Sequence, residues 1–301
     1  MDEALLAGFL ASAVRVSTPL LLAALGETLA ERGGVINLGI EGAMLAGALG
    51  GALGATAGGL WLGAAGAAAA GVLMAALFAA VAILMRADQI ITGTAVTLAS
   101  VGLTGVIYRE AYGTAGAGLS LPTFPALPIP GLAGLPLVGE ALFSQSAPTY
   151  LAWLLVPILW WVLYRTRWGL ALRASGESRE AALAAGVRVR GLRVAATLAG
   201  GMLAGLAGGT LVLAQVGTFT EEMTAGRGYI AIAIVVLGRW HPGWVLGASL
   251  LFGAATAMQF LFQAAGLDVP YQLFLMLPYG LALLALAGGM GRARAPGELG
   301  R

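Results

Sequence analysis

The chain has 301 residues, of which 59% are hydrophobic and 10% are charged, with a mean hydropathy of +0.90 and a formal net charge of +2. A soluble domain of this size cannot bury so much apolar surface, so the composition excludes a soluble domain and predicts that lipid is part of the solvent. The absence of cysteine excludes disulfides and thiolate chemistry.

Apolar segments separated by short polar breaks predict an all-α polytopic membrane protein, a single transmembrane domain over residues 1–301. A first span covers residues 4–25 and is followed by a polar turn at 26–34. With broken elements included, about nine to ten membrane-crossing helices are expected, the N-terminus outside and the C-terminus inside. The unbroken later spans are expected at residues 60–85, 89–108, 150–164, 194–216, 245–262 and 271–287.

Residues 33–51 are apolar enough to enter a bilayer, yet they carry Asn37 and Glu41 among several glycines. A carboxylate at membrane depth needs a partner or water, and glycines are poor formers of an uninterrupted helix. A broken or re-entrant segment that lines a cavity satisfies both constraints. The alternative is that Glu41 pairs with an arginine and locks two helices together.

A second unusual stretch, residues 228–238, is too short to cross a membrane and predicts a half-helix or part of a tilted, broken element. Residues 31–51 and 225–250 each begin with an Arg-Gly step and pass through a short apolar element into a Gly/Ala-rich helix. They would enter the membrane from opposite sides, which is the pattern of an inverted repeat around a central site.

Three hydroxyl residues, Thr97, Ser100 and Thr104, recur at helical spacing within the span 89–108 and therefore share one face. Such a face lines a solute pathway or only holds two helices together by hydrogen bonds. Both interpretations remain open from the sequence.

The connection 110–148 contains six of the twelve prolines and is expected outside the membrane. Proline-rich chain of low charge forms stiff, extended segments. The loop is therefore predicted either to offer a docking surface to an extracytoplasmic partner or to cover the helix ends.

The connection 165–193 contains seven of the sixteen basic residues, all of them arginine. Positive charge close to span ends is typical of the cytoplasmic side. A short helix is predicted at its centre, where Ser178 can cap the first turn, Glu180 lies near the positive end of the helix dipole and Gly186 can end the helix.

No arrangement of residues in the sequence predicts a catalytic centre or a metal site. A P-loop, paired histidines and a G-x-S-x-G motif are all missing from the sequence, and His241 is the only histidine. Transport by a non-enzymatic chain is the function that remains.

The predicted cytoplasmic helix reads E-A-A-x-x-x-G from Glu180 to Gly186, without the I-x-L-P continuation. It resembles the EAA loop by which the permease subunits of ABC importers contact their ATPase. GETLAERGGVINLGIEGAMLAGA at residues 26–48, AGRGYIAIAIVVLGRWHPGWVLGASLLFG at 225–253 and MLPYGLALLAL at 276–286 extend the likeness over nearly the whole chain. They resemble ABC permeases of the branched-chain amino acid and simple sugar type, above all the nucleoside-uptake branch.

The resemblance implies a permease subunit in the cytoplasmic membrane of a prokaryote that imports a small polar solute, most of all a nucleoside. It implies a cytoplasmic ABC ATPase that binds and hydrolyses the ATP, a second similar permease subunit and an extracytoplasmic or lipid-anchored solute-binding protein, with no cofactor bound by this chain. The ATPase would contact Ser178, Arg179, Glu180, Ala181, Ala182 and Gly186. A polar cavity near Asn37, Glu41, Thr97 and Ser100 would hold the solute.

Three alternatives stay open at this point. Within the same class, a simple sugar or a branched-chain amino acid could replace the nucleoside. An ion-coupled secondary transporter would need several carboxylates inside the membrane, and the sequence offers Glu41 as the one convincing candidate. A membrane-embedded enzyme or scaffold is disfavoured by the missing catalytic residues.

Overall fold

The computed structural model describes residues 3–113, 119–264 and 295–300, together with 276–277, 279–280 and 283. Regular structure in these residues is almost entirely helical, which confirms the all-α class. The helices are α1 (Glu3–Arg32), α2 (Ile40–Gly58), α3 (Leu60–Phe78), α4 (Gln89–Tyr112), α5 (Val138–Phe143), α6 (Ala147–Arg165), α7 (Arg167–Glu177), α8 (Arg179–Ala184), α9 (Val189–Thr210), α10 (Arg227–Leu237) and α11 (Pro242–Ala264). Two of them continue as π-helix, α3 through Ala79–Leu84 and α9 through Leu211–Val216.

Six helices in the described part of the chain are long and apolar enough to cross a membrane. They cover Leu5–Arg32, Ile40–Gly58, Leu60–Leu84, Gln89–Tyr112, Ala147–Arg165 and Val189–Val216, and two shorter apolar helices cover Arg227–Leu237 and Pro242–Met258. The chain is thus a multi-pass membrane protein. The predicted count of nine to ten spans is not confirmed, and the span expected at 271–287 lies mostly outside the described residues.

Helix α1 continues through the region where a polar turn was expected to begin at residue 26. That expectation was wrong, because the sequence from Glu27 to Arg32 contains only helix-compatible residues and its acidic side chains find partners inside the protein. The helix ends at Gly33 and Gly34, where Gly34 adopts a left-handed φ of +87°. Residues 33–39 then run without regular helix into α2, so the predicted break in this segment is confirmed.

Helix α9 lies at the centre of the bundle, where its glycines let neighbouring backbones approach closely. Gly200 lies against Gly26 of α1, and a Cβ on either would meet the other's backbone. Gly205 faces Gly47 of α2 and Gly71 of α3 in the same way. These glycines hold α9 against α1, α2 and α3 at once.

Arginines gather at one end of the bundle. This arginine-rich end comprises the C-terminus of α1, the turn 85–88, helices α7 and α8, the start of α9 and the turn 238–241. Arg32 Nε donates to the carbonyl of Trp240 at 2.9 Å, and Arg32 Nη2 donates to Tyr164 Oη at 3.0 Å, so the ends of α1, α6 and α10 meet there. The positive-inside rule predicts that this end faces the cytoplasm.

The opposite end carries the long connection between α4 and α6. Here two short strands, β1 (Ala126–Pro128) and β2 (Ser144–Ser146), pair antiparallel, and α5 lies between them in the chain. The connection is therefore a small folded cap rather than only extended segments, with residues 114–118 outside the described part. It joins the bundle through Leu121, whose N–H donates to the carbonyl of Gly217 at 2.8 Å.

Candidate functional site

Helix α8 is the short helix predicted at the centre of the arginine-rich connection. Ser178 Oγ accepts a hydrogen bond from the N–H of Ala181 at 3.3 Å, as an N-cap does. Gly186 ends the helix with a left-handed φ of +77°, and the N–H of Val187 donates back to the carbonyl of Ala182 at 3.0 Å. The predicted cap, first turn and glycine terminus are confirmed as local structure.

The surface of α8 is suited to contact another molecule. Ala182 is buried and anchors the helix, whereas Glu180, Ala181 and Leu183 are exposed. The exposed fraction of Leu183 is 52%, which is high for a leucine. Another protein can therefore contact the exposed residues of α8 without displacing Ala182, which packs the helix against the bundle.

Helix α7, which the sequence analysis did not foresee, supports α8. Thr166 Oγ1 caps α7 by accepting from the N–H of Gly169 at 3.1 Å. Arg173 Nε donates to the carbonyl of Leu163 at 3.0 Å, and its guanidinium lies 4.8 Å from the centre of the Tyr164 ring. These contacts tie α7 to the end of α6.

The far end of α7 lies against the end of α1. Gly176 packs so closely on the carbonyl of Arg32 that a Cβ would overlap it, and Leu172 packs against Gly33. Arg193 Nη2, at the start of α9, donates to the carbonyl of Ser175 at 3.3 Å. Any displacement of α7 and α8 therefore acts on α1, α6 and α9 together.

Residues 295–300 form a further link at this end. The N–H of Glu298 donates to the carbonyl of Gly176 at 2.8 Å, and the N–H of Gly300 donates to the carbonyl of Gly34 at 3.3 Å. Glu298 Oε2 also lies 3.9 Å from Arg193 Nη2. The segment thus joins the end of α7 to the turn that leads into α2.

Glu41 lies in the first turn of α2 and receives two backbone donors from the start of α10. Its Oε1 accepts from the N–H of Gly226 at 2.8 Å, and its Oε2 accepts from the N–H of Gly228 at 2.6 Å. The N-terminus of a helix has unpaired N–H groups and a positive dipole end, so a carboxylate is stabilised there. Glu41 is thus hydrogen-bonded to the backbone of α10, and among the described residues the charge of Arg227 acts on it without a salt bridge within 4.0 Å.

This contact lies deep in the membrane. Helix α10 has 11 residues and spans about 16 Å. Its C-terminal side leads to Trp240 at the arginine-rich end, where Arg32 binds the Trp240 carbonyl. Its N-terminus, with Glu41, is therefore about halfway through a hydrocarbon core of about 30 Å. The prediction of a half-helix is confirmed, and it meets the other predicted broken segment at this point.

The remaining predicted pathway residues lie around the same junction. Asn37 Oδ1 accepts from the N–H of Gly39 at 3.0 Å, and Thr97 Oγ1 donates to the carbonyl of Leu38 at 3.2 Å. Ser100 Oγ donates to Met74 Sδ at 3.0 Å. The structure thus brings Asn37, Glu41, Thr97 and Ser100 together, and the side chain of each makes at least one hydrogen bond to another part of the chain. Contact with a solute stays a prediction for all four.

Two buried carboxylates were missed by the sequence analysis, which counted Glu41 as the one convincing acid inside the membrane. Glu27 and Glu31 of α1 are each 1% exposed. Glu27 Oε1 accepts from the N–H of Asn37 at 2.9 Å, and Glu31 Oε2 accepts from Trp240 Nε1. In the described part of the chain, Glu31 Oε1 has no hydrogen-bond partner. Their spacing of four residues within E-T-L-A-E-R was the available signal, because it places both on one helix face.

Comparison with known proteins identifies the class. The chain matches, over residues 9–286, the family described as "Branched-chain amino acid transport system / permease component". This chain belongs to that permease family. The matched residues include nearly all of the helices described above, with α8 and the Glu41 junction among them. The match confirms the resemblance inferred from the sequence motifs.

Curated relatives refine the comparison. The permease is 38% identical to the guanosine ABC transporter permease protein NupQ of Bacillus subtilis, over 93% of this chain and 91% of NupQ. It is 33% identical to the nucleoside ABC transporter permease protein NupC of Lactococcus lactis subsp. cremoris, with the same coverage. TsgC13 of Haloferax volcanii, which its name provisionally assigns to a glucose ABC transporter, is 43% identical over 87% of this chain and 79% of its own. No solved structure matches the permease.

Proposed function

We propose that this permease is the membrane subunit of an ATP-driven importer that carries nucleosides across the cytoplasmic membrane of a prokaryote. The observation that carries the proposal is the similarity to a guanosine and a nucleoside permease along 93% of the chain. A match of that extent includes helix α8, which would contact the ATPase. It also includes the junction at Glu41, which would lie along the solute pathway.

Helix α8 is proposed as the contact with the ATPase. Its exposed residues Glu180, Ala181 and Leu183 would enter a groove of the ATPase, while Ala182 anchors the helix to the permease. Ser178 and Gly186 fix the two ends of the helix, so the contact presents a defined shape. ATP itself would bind to the partner subunit.

Movement of α8 would reach the middle of the membrane through packed helices. Helix α7 rests on the ends of α1 and α6, and α9 packs through its glycines on α1, α2 and α3. A rocking motion of α7 and α8 would therefore tilt the helices that hold Glu41 and the start of α10. Such a tilt is one way to switch a central cavity between outward and inward access.

A nucleoside is neutral and rich in hydroxyl groups, so hydrogen bonds would dominate its recognition. The region of Asn37, Glu41, Thr97 and Ser100 offers amide, carboxylate and hydroxyl groups at the right depth. In the described conformation these groups are hydrogen-bonded to backbone groups and to Met74, so a solute would meet them in a conformation where the junction has opened. A second permease subunit would supply the other wall of the pathway.

A simple sugar is the second candidate solute, because TsgC13 is 43% identical to the permease. Sugars and nucleosides share hydroxyl groups, and specificity would depend largely on the extracytoplasmic or lipid-anchored binding protein. An ion-coupled transporter is not favoured, since the family is one of ABC permeases and the buried Glu27 and Glu31 are bound by Asn37 and Trp240.

Reconstitution tests the proposal. The permease would be co-expressed with an ATPase, a second permease of the same family and a binding protein from the same genome, and placed in proteoliposomes with ATP inside. Uptake of radiolabelled guanosine that requires ATP, and that excess glucose leaves unchanged, is expected. Uptake of glucose but not guanosine would support the sugar instead, and uptake that continues without ATP would refute the ABC mechanism.

A further inference from the structure

Two adjoining cavities at the arginine-rich end share arginine side chains. The first has a volume of about 380 Å³ and is lined by Arg86 of the turn between α3 and α4, Arg179 of α8, and Arg190 and Arg193 of α9. The second, of about 420 Å³, shares Arg86, Arg179 and Arg190 and adds Arg188. Five arginines from three separate parts of the chain therefore line these two cavities.

Few acidic groups balance this charge. Asp88, the cap of α4, lines the first cavity and contributes one negative charge, whereas five arginines line the two cavities together. Glu298 pairs with Arg193. Among the described residues, neither Arg86, Arg179, Arg188 nor Arg190 lies within 4.0 Å of a carboxylate oxygen. Mutual repulsion of these arginines would be relieved by an anion in the cavity.

The surroundings of the cavity indicate which anion. Arg86 lies between two pairs of apolar residues with large exposed fractions: Leu84 at 55%, Met85 at 75%, Ile90 at 54% and Ile91 at 70%. These residues lie at or next to the ends of two helices that are long and apolar enough to cross a membrane, so their exposed faces would meet lipid tails. A ligand that binds here would contact guanidinium groups at one end and hydrocarbon at the other.

We propose that this cavity binds the headgroup of an anionic phospholipid, with its acyl chains along the exposed faces of α3 and α4. Arginine binds phosphate oxygens through paired, charge-assisted hydrogen bonds, and basic pockets between membrane helices suit such headgroups. The cavity includes Arg179, the first residue of α8. A bound headgroup thus holds the coupling helix against the turn 85–88 and the start of α9, and makes its position depend on membrane composition.

Lipid binding by the purified full-length permease tests this proposal. The protein is incubated in detergent with phosphatidylglycerol or phosphatidylcholine of the same acyl chains, and bound lipid is counted by native mass spectrometry. The variant Arg86→Gln/Arg190→Gln removes two exposed cavity arginines. Its control, Arg165→Gln/Arg167→Gln, removes two exposed arginines at the same end that do not line either cavity.

Wild type and control are expected to retain phosphatidylglycerol in preference to phosphatidylcholine, and the cavity variant is expected to bind it roughly 25-fold more weakly, at about fivefold per arginine. Equal retention by the cavity variant, or an equal loss in the control, would overturn the proposal. Displacement of the lipid by millimolar inorganic phosphate would assign the cavity to a free anion instead. Loss of ATPase binding with unchanged lipid binding would assign the arginines to the ATPase, and this too would refute a lipid site.

Discussion

The carboxylate of Glu41 and the backbone N–H of Gly228 are joined by a 2.6 Å hydrogen bond between the first turn of α2 and the first turn of α10. The two helices follow the two irregular segments that enter the bundle from opposite ends. Their contact therefore joins the two irregular segments near the middle of the membrane.

Replacement of the Glu41 carboxylate should weaken the contact between α2 and α10. Glu41→Ala removes both acceptors for Gly226 and Gly228 and is expected to lower the free energy of unfolding by about 3 kcal/mol, because a charge-assisted bond is lost and buried N–H groups stay unpaired. Thermal unfolding in detergent, followed by circular dichroism, measures the change. The control is Glu222→Ala, which replaces an exposed acid in the loop before α10 and should unfold like the wild type. Identical unfolding of all three proteins would show that the junction does not stabilise the fold.

A methyl group at Gly228 should have a related effect. A Cβ there would lie 2.7 Å from the Glu41 backbone and 2.8 Å from its carboxylate, so Gly228→Ala is expected to push α2 and α10 apart and to cost about 1–3 kcal/mol. Gly102→Ala on α4 meets no atom within 4 Å and serves as the control. The same unfolding measurement should separate the two variants. A Gly228→Ala protein as stable as the Gly102→Ala protein would contradict the close contact.

The indole of Trp240 is expected to stabilise the buried carboxylate of Glu31. Trp240→Phe keeps most of the ring packing but removes the Nε1–H donor to Glu31 Oε2, which should cost about 1–3 kcal/mol. Trp244→Phe is the matched change at a side chain that is 69% exposed and should be nearly neutral. Equal melting temperatures for the two variants would mean that the Glu31–Trp240 bond contributes little.

The coupling role of α8 can be separated from its stability. Gly186→Trp forces a bulky residue into a left-handed φ of +77°, and Glu180→Arg reverses the charge in the exposed first turn. Both should abolish ATP-dependent uptake while the permease still folds and inserts. Gly186→Asn, which tolerates this backbone conformation, and Glu180→Gln are the controls and should keep most of the uptake. Normal ATPase assembly and uptake in both test variants would exclude α8 as the coupling element.

The features that the sequence predicted correctly are those encoded by local rules. The serine at 178 and the glycine at 186 define the ends of α8 without any tertiary information, and the apolar runs define the six long helices. The break before Glu41 was visible because glycines and a carboxylate interrupt an apolar run. The half-helix α10 was visible because its length falls short of a bilayer.

The features that were missed depend on contacts between distant residues. The polar sequence 27–32 was interpreted as a turn because Glu27 and Glu31 look exposed until Asn37 and Trp240 supply their donors. The partner of Glu41 was likewise hidden, since it is a backbone N–H 187 positions away and not a side chain. Helix α7 is held by Arg32, which is far away in the sequence, and by Leu163 and Tyr164 at the end of α6, whose side-chain and carbonyl contacts a hydropathy pattern does not show.

The proposed coupling role of α8 has one direct test. The natural chain contains no cysteine, so Ala181→Cys places a single exposed thiol on this helix. A membrane-impermeant maleimide is added to intact cells, to inverted membrane vesicles, and to vesicles that also contain the ATPase. The proposal predicts labelling in inverted vesicles only, with protection by the bound ATPase. Labelling of Ala181→Cys from outside intact cells, or no protection by the ATPase, would contradict it.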